Sequence, residues 1–153
     1  MSGEIRVAEG STAKFGVVEG ALIVGEDATV VAEDGVKITV SGSVQCEGDC
    51  VFKCSVEAYR FEGSEGHARV EGDLTVKDRV EVEDGSLEVT GSLNARTVSV
   101  DRELKVGKDL SADDVDVGGR LEVEGSSKAG KIDVAGAYTA RGPVEAKDID
   151  VGG

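Results

Sequence analysis

The stretch VGGRLEVEGSSKAGKIDVAGAYTARGPVEAKDIDVGG, residues 117–153, repeats a triplet of apolar, polar and apolar residues, with glycine-containing corners between the triplets. Side chains alternate between the two faces of a β-strand, so each triplet indicates a short strand with two apolar side chains on one face. A helix would space its apolar residues three or four positions apart. The stretch therefore predicts a succession of short strands that bury the same face.

The triplets recur with a period of seventeen residues. From Leu93 onward they begin five or six residues apart, and three consecutive steps add up to 17. Two sets of positions recur at this interval: Leu93, Leu110, Ser127 and Val144, and Val98, Val115, Ile132 and Ile149. Three strands per period describe one coil of a triangular prism. Parallel coils stacked about 4.8 Å apart would pair their backbones and bury their apolar side chains together.

The predicted fold is all-β, a single-domain three-sided parallel β-helix (β-solenoid) of about 17 residues per coil, covering residues 1–153. A right-handed coil is expected because parallel strand connections are overwhelmingly right-handed. Residues 72–153 are expected to form regular coils. Residues 1–71 are expected to form less regular coils, with an outward loop at 59–67, YRFEGSEGH. The length corresponds to about eight or nine coils and a rod of roughly 40 Å.

Glycines mark one corner of the predicted prism. Gly72, Gly91, Gly125 and Gly142 occupy equivalent places, which predicts sharp bends that favour a positive φ angle. The only proline, Pro143, lies at a strand entrance, where a missing N–H donor is tolerated.

Composition excludes several classes of function. The formal net charge of −14 argues against binding nucleic acid or anionic membranes through a basic patch. No apolar run approaches the roughly 20 residues that span a bilayer, and no signal peptide pattern opens the chain. The three cysteines, an odd number, indicate a reducing compartment. A cytoplasmic location is therefore expected.

Two columns of polar side chains should run up the outside of the prism. One contains Glu81, Ser99, Asp116, Asp133 and Asp150, which could attract cations, although ordinary solvation is the favoured interpretation. The other alternates in charge and should be mildly stabilising; it contains Glu88, Lys105, Glu122 and Thr139.

The segment CEGDCVFKC places Cys46, Cys50 and Cys54 four residues apart, and His67 follows. A Cys₃His zinc site is conceivable, but small thiols that fill the core are the favoured interpretation. His67 is the only histidine, and a general base would need a partner to orient it. We therefore predict no catalytic residue, no cofactor and no metal site.

Residues 93–153 resemble the bactofilins, the polymer-forming cytoskeletal proteins of bacteria and their archaeal relatives. The resemblance rests on units of the form L-x-A-x-x-[VI]-x-V-G-G-x-L-x-V-x-G and covers about half of the chain well. It implies a right-handed three-sided β-helix that joins end to end into filaments without a nucleotide.

The open ends of a β-solenoid carry unpaired backbone groups that can template another chain. We therefore expect a structural protein that polymerises with itself through its end coils and has no enzymatic activity. The expected contact residues are Ile5 and Val7 at one end and Val144, Ile149 and Val151 at the other. The alternatives are a rigid scaffold module that binds other proteins in a larger complex and, less favoured, an acyltransferase of the hexapeptide type that would depend on His67.

Overall fold

The structure, a computed structural model, describes residues 3–152, which form 21 strands and no helix. In chain order the strands are β1 (Gly3–Val7), β2 (Thr12–Phe15), β3 (Val17–Val18), β4 (Gly20–Val24), β5 (Ala28–Ala32), β6 (Lys37–Val40), β7 (Ser43–Glu47), β8 (Cys50–Phe52), β9 (Ser55–Ser64), β10 (His67–Val70), β11 (Leu74–Glu83), β12 (Ser86–Val89), β13 (Leu93–Asn94), β14 (Thr97–Val100), β15 (Glu103–Val106), β16 (Leu110–Ser111), β17 (Asp114–Val117), β18 (Arg120–Val123), β19 (Ser127–Val134), β20 (Ala137–Ala140) and β21 (Val144–Val151).

The strands form a parallel β-solenoid of about nine turns with three faces. The first face contains β1, β4, β7, β14, β17 and the second halves of β9, β11, β19 and β21. The second face is the 8-stranded sheet of β2, β5, β8, β10, β12, β15, β18 and β20. The third face contains β3, β6, β13, β16 and the first halves of the four long strands, which bend between the third face and the first. One aliphatic core fills the interior along the whole rod.

The predicted seventeen-residue register is confirmed in the C-terminal half. Leu93 pairs with Leu110, Leu110 with Ser127, and Ser127 with Val144. On the first face the equivalent column contains Val98, Val115, Ile132 and Ile149. The equivalent residues of successive coils therefore lie above one another, as the sequence period predicts.

The N-terminal half contains longer coils because residues are inserted at corners. Leu22 pairs with Val44, 22 residues further on, because a turn follows β5. In this turn the Asp34 carboxylate accepts the N–H groups of Val36 and Lys37, and Gly35 has a φ of 75°. The N–H of Lys37, more than that of Val36, holds the pKa of Asp34 below its usual value. The insertion extends one corner and leaves the strands of the core in place.

The predicted outward loop at 59–67 is wrong, because most of that segment continues β9 and forms the first face of its coil. Phe61 points inward and is fully buried, and its ring packs edge to face against Phe52 with centroids 5.7 Å apart. Gly63 takes the second inward position, where the neighbouring coils have Cys46 and Val82. A small residue beside two aromatic rings keeps the filled volume similar. Because Gly63 takes the place of a second apolar residue, the sequence here lacks the triplet of apolar, polar and apolar residues that marks the other strands.

Of the four predicted corner glycines Gly72 has a positive φ, 157°, and the other three are needed for a different reason. Gly91 donates its N–H to the carbonyl of Gly72, and Gly142 donates to Gly125. A Cβ atom on Gly91 would lie 2.6 Å from the carbonyl oxygen of Gly72, which is too close for any side chain. Gly91, Gly125 and Gly142 are absent from the described residues with positive φ. The constraint at these corners is therefore the close approach of successive coils.

Replacing Phe61 with alanine tests the corrected position of β9. The change should lower the free energy of unfolding by about 3–5 kcal/mol, because it empties the space beside Phe52. Tyr59→Ala, two residues away and exposed, should cost about 0.5 kcal/mol or less. Urea unfolding followed by circular dichroism measures both values. Equal small losses would restore the loop interpretation.

Two glycine-to-alanine variants separate close approach from ordinary packing. Gly91→Ala should destabilise the protein by about 1–3 kcal/mol, because the added methyl group meets the backbone of the coil below. A Cβ on Gly63 would instead meet the Val82 side chain at 3.5 Å, an ordinary contact. Gly63→Ala should therefore be neutral or stabilising by about 0.4–1 kcal/mol. Thermal unfolding of the pair checks the difference, and a stable Gly91→Ala variant would contradict it.

Candidate functional site

The C-terminal edge of the solenoid exposes side chains that belong to the core in the preceding coils. Val144, Ile149 and Val151 on β21 are 38–50% exposed. Ile132 and Val134, one coil earlier in the same columns, are fully buried. No strand among residues 3–152 covers β20 or the outer edge of β21. This edge is therefore an unfinished layer of the core.

The N-terminal edge is unfinished in the same way. Ile5 on β1 is 40% exposed, whereas Leu22, its partner in the next coil, is fully buried. Val7 differs from the other predicted contact residues because it is already buried within the chain. On the third face Val17 points outward and is 74% exposed. The predicted contact residues thus lie at the two opposite ends of the rod.

The two edges present different backbone groups. The carbonyl of Val7 accepts the N–H of Gly25 in the second coil, at 2.9 Å. Backbone groups of alternate residues point the same way, so those of Glu4 and Arg6 point to the free N-terminal edge. At the other end the N–H of Gly152 donates to Val134 of the preceding coil, at 2.8 Å. The backbone groups of Ile149 and Val151 consequently point to the free C-terminal edge.

A column of serine and aspartate side chains reinforces the corner between the second and third faces. Ser55 accepts the N–H of Asp73, Asp73 accepts that of Ser92, and Asp109 accepts that of Ser126. The N–H and hydroxyl groups of Ser126 lower the pKa of Asp109. Pro143 occupies the next place in this column. Proline has no N–H group, so there is no backbone donor at this place for Ser126 to accept. Sequence reasoning missed this column, although the alternation of Ser and Asp at the coil period is visible in hindsight.

The two predicted outer columns are in register. Glu81, Ser99, Asp116, Asp133 and Asp150 lie above one another on the first face. The Glu81 carboxyl, through a hydrogen bond and its charge, raises the pKa of Glu83. On the second face the column of Glu88, Lys105, Glu122 and Thr139 is also formed. Within residues 3–152 no group of three or more His, Cys, Asp or Glu side chains could hold a metal ion.

Cys46, Cys50 and Cys54 all lie in the core, as predicted. Cys46 and Cys50 form a disulfide across the corner between β7 and β8, so the prediction that they are free thiols is wrong. Cys54 is free and buried. Burial, together with the charge of Asp34, raises the pKa of its thiol to about 11. The disulfide also removes the argument for a reducing compartment.

His67 begins β10, and half of its side chain is exposed. Its Nε2 lies 3.6 Å from Oε1 of Glu88, which also binds Arg69 at 3.2 Å. The zinc alternative fails at the sulfur atoms, because those of Cys46 and Cys50 are bonded to each other. His67 therefore belongs to a charged surface cluster on the second face.

Two buried hydroxyl groups near the C-terminal end have no hydrogen-bond partner. Ser127 points inward in the column of Leu93 and Leu110, and its hydroxyl is unpaired. The hydroxyl of Tyr138, in the inward column one coil after Leu121, is also buried and unpaired. Unpaired buried hydroxyls are costly. The other buried side-chain atom without a hydrogen-bond partner among residues 3–152 is Nε of Arg69, on β10 in the middle of the rod.

Comparison with protein-family models, with curated proteins and with solved structures finds no match to this chain. The part of the chain that the structure describes has no helix suited to crossing a membrane. The exposed apolar side chains at the two ends are therefore the feature of the molecule that bears most on its function.

Ser127→Ala tests the cost of the buried hydroxyl. The change should raise the free energy of unfolding by about 1–2 kcal/mol, because it removes an unpaired polar group from the core. Ser111→Ala, on the outer surface of β16, serves as the control and should be neutral. Chemical unfolding of both variants measures the difference. A destabilised Ser127→Ala protein would mean that the hydroxyl has a partner.

Proposed function

We propose that this protein is a structural subunit that assembles end to end through its terminal coils. The observation that carries the proposal is the exposure, at both ends, of side chains whose equivalents are buried in the interior coils. Ile5 and Ile149 are the first and last members of one inward column on the first face. A second copy at either end would bury them as the next coil does.

Backbone pairing supports the same proposal. Among residues 3–152 the N-terminal edge presents a row of free N–H and C=O groups on β1, β2 and β3, and the C-terminal edge presents one on β20 and β21. Such rows pair with another strand. The required groups are already fixed in space by the coils behind them, so little chain entropy is lost when they pair. A rod with two such ends can grow by repeated addition, as an open assembly does.

The resemblance of residues 93–153 to bactofilins supports a cytoskeletal role. The repeated units that carry the resemblance are the strands of the regular coils, from β13 to β21. On this basis we propose filaments that need no nucleotide and that act as a scaffold for other proteins. A cytoplasmic location is supported by this resemblance and no longer by the cysteines, because Cys46 and Cys50 form a disulfide. The long aliphatic core and its regular coils would give the filament stiffness.

Ile149→Lys tests the proposal at the C-terminal edge. Purified wild-type protein should form fibres of uniform width in negative-stain electron microscopy, and the variant should form none, because a lysine cannot be buried in the apolar column. The control is Val36→Lys, which makes the same charge change at an exposed valine in the turn after β5, away from both ends. This variant should form fibres as the wild type does.

The thermal unfolding of both variants should match the wild type, since each altered side chain is exposed. A wild-type protein that sediments as a monomer at all concentrations and salt levels would contradict the proposal.

A further inference from the structure

We propose that β1 pairs antiparallel with β1 of a second copy of this chain, with Ile5 at the two-fold axis and Glu4 of each copy opposite Arg6 of the other. The inference rests on the proposed end-to-end assembly and specifies the contact at one end. It makes the N-terminal edge an isologous interface, in which the same surface meets itself.

The backbone of β1 fits this register. The free N–H and C=O groups at the edge are those of Glu4 and Arg6, because Val7 uses its carbonyl to pair with Gly25. In the proposed register Glu4 and Arg6 of the two copies exchange these bonds as hydrogen-bonded pairs. Ile5 then meets Ile5 of the second copy in the closer type of pair, whose Cα atoms lie about 4.5 Å apart.

Charge selects this register from its neighbours. The inward side chains of both copies must stay on the inner face. The register between the two β1 strands can therefore change only by steps of two residues, since a one-residue step would turn every side chain to the other face. If Glu4 lay at the two-fold axis, the Glu4 carboxylates of the two copies would face each other. If Arg6 lay at the axis, the two Arg6 guanidinium groups would face each other. Centring on Ile5 instead creates two opposite-charge pairs, which stabilise antiparallel strands.

The apolar contact agrees with the charges. Ile5 is 40% exposed, although its partner Leu22 in the next coil is fully buried. Stacking Ile5 on Ile5 covers both side chains at the two-fold axis. Val7 already lies within the core and would continue the apolar row on each side.

A head-to-tail contact that continues the columns of the solenoid is less well matched. It would place Asp148 of one copy against Glu4 of the next, because these residues occupy one outer column of the first face. It would also place Arg141 against Lys14 on the second face. Both pairs are repulsive.

The Asp148 and Asp150 carboxylates on β21 also affect head-to-tail stacking and the pairing of β21 with itself. Head-to-tail stacking has one matched pair, Arg6 with Asp150. Antiparallel pairing of β21 with itself would bring Asp148 and Asp150 of the two copies together. Growth of the N-terminal dimers into fibres through their C-terminal edges is therefore expected to need salt that screens these carboxylates. The N-terminal edge is thus the end at which pairing of identical strands is favoured.

Arg6 already binds Glu47 within its own chain, with Nη1 2.9 Å from Oε1. More than half of each side chain is exposed, so this ion pair is weak and does not prevent a second contact. In the proposed dimer the guanidinium would lie between Glu47 and Glu4 of the second copy.

Charge exchange between Glu4 and Arg6 tests the register. In sedimentation velocity, Arg6→Glu should raise the dissociation constant of the N-terminal contact roughly tenfold or more, because two attractive pairs become repulsive. Glu4→Arg added to Arg6→Glu should restore it to within about threefold. Asp150→Arg added to Arg6→Glu should not restore it. The control is Glu47→Gln, which breaks the pair within the chain and should leave association intact.

The outcomes separate this contact from the proposed function. Rescue by Asp150→Arg instead of Glu4→Arg would overturn the antiparallel contact in favour of head-to-tail stacking. Arg6→Glu protein that forms wild-type fibres would overturn the contact and leave the function standing. Wild-type dimers that are sensitive to Arg6→Glu but never form fibres would support the contact and contradict the function. A wild-type protein that remains a monomer would overturn both.

Discussion

The hydrogen bond between the N–H of Leu110 and the carbonyl of Ser126, at 2.9 Å, represents the interaction on which this structure depends. Leu93 donates in the same way to Asp109, and Ser127 donates to Pro143. A single coil has no partner for these groups, and its apolar side chains would remain in water. Each coil is stable only because the next coil completes its hydrogen bonds and covers its side chains. Within residues 3–152 the first and last coils therefore lack on one side what every interior coil has.

The same bonds set how closely the chain can approach itself. At the corners a carbonyl and the N–H of the next coil meet directly, which leaves no room for a side chain at Gly91. In the interior the limit is volume. Phe52 and Phe61 are accommodated because Gly63, at the second inward position of the same coil, is small, so one coil departs from the aliphatic pattern without disturbing the register of its neighbours. Coils of unequal length are accommodated at the corners, where inserted residues extend outward.

The sequence alone predicts the fold where every coil repeats the same spacing. The column of Leu93 and Leu110 is visible because nothing is inserted between its members. The prediction failed at Phe61 because its triplet ends in Gly63, and periodicity cannot distinguish a glycine that compensates for a large ring from a glycine in a loop. It also missed the Cys46–Cys50 disulfide, since spacing does not reveal whether two sulfur atoms face each other. At the ends, sequence identified exposed apolar residues but placed Val7 among them, although the adjoining coil buries it.

The most direct test of this account is the measurement of scalar couplings across backbone hydrogen bonds by NMR, in subunits kept below the concentration at which they assemble. Stacked coils should give couplings from the amide nitrogen of Leu93 to the carbonyl carbon of Asp109, and from that of Leu110 to that of Ser126. These couplings identify the bonded partner of each amide directly. Couplings to carbonyls one position away, or none between these coils, would contradict the stacking and everything inferred from its ends.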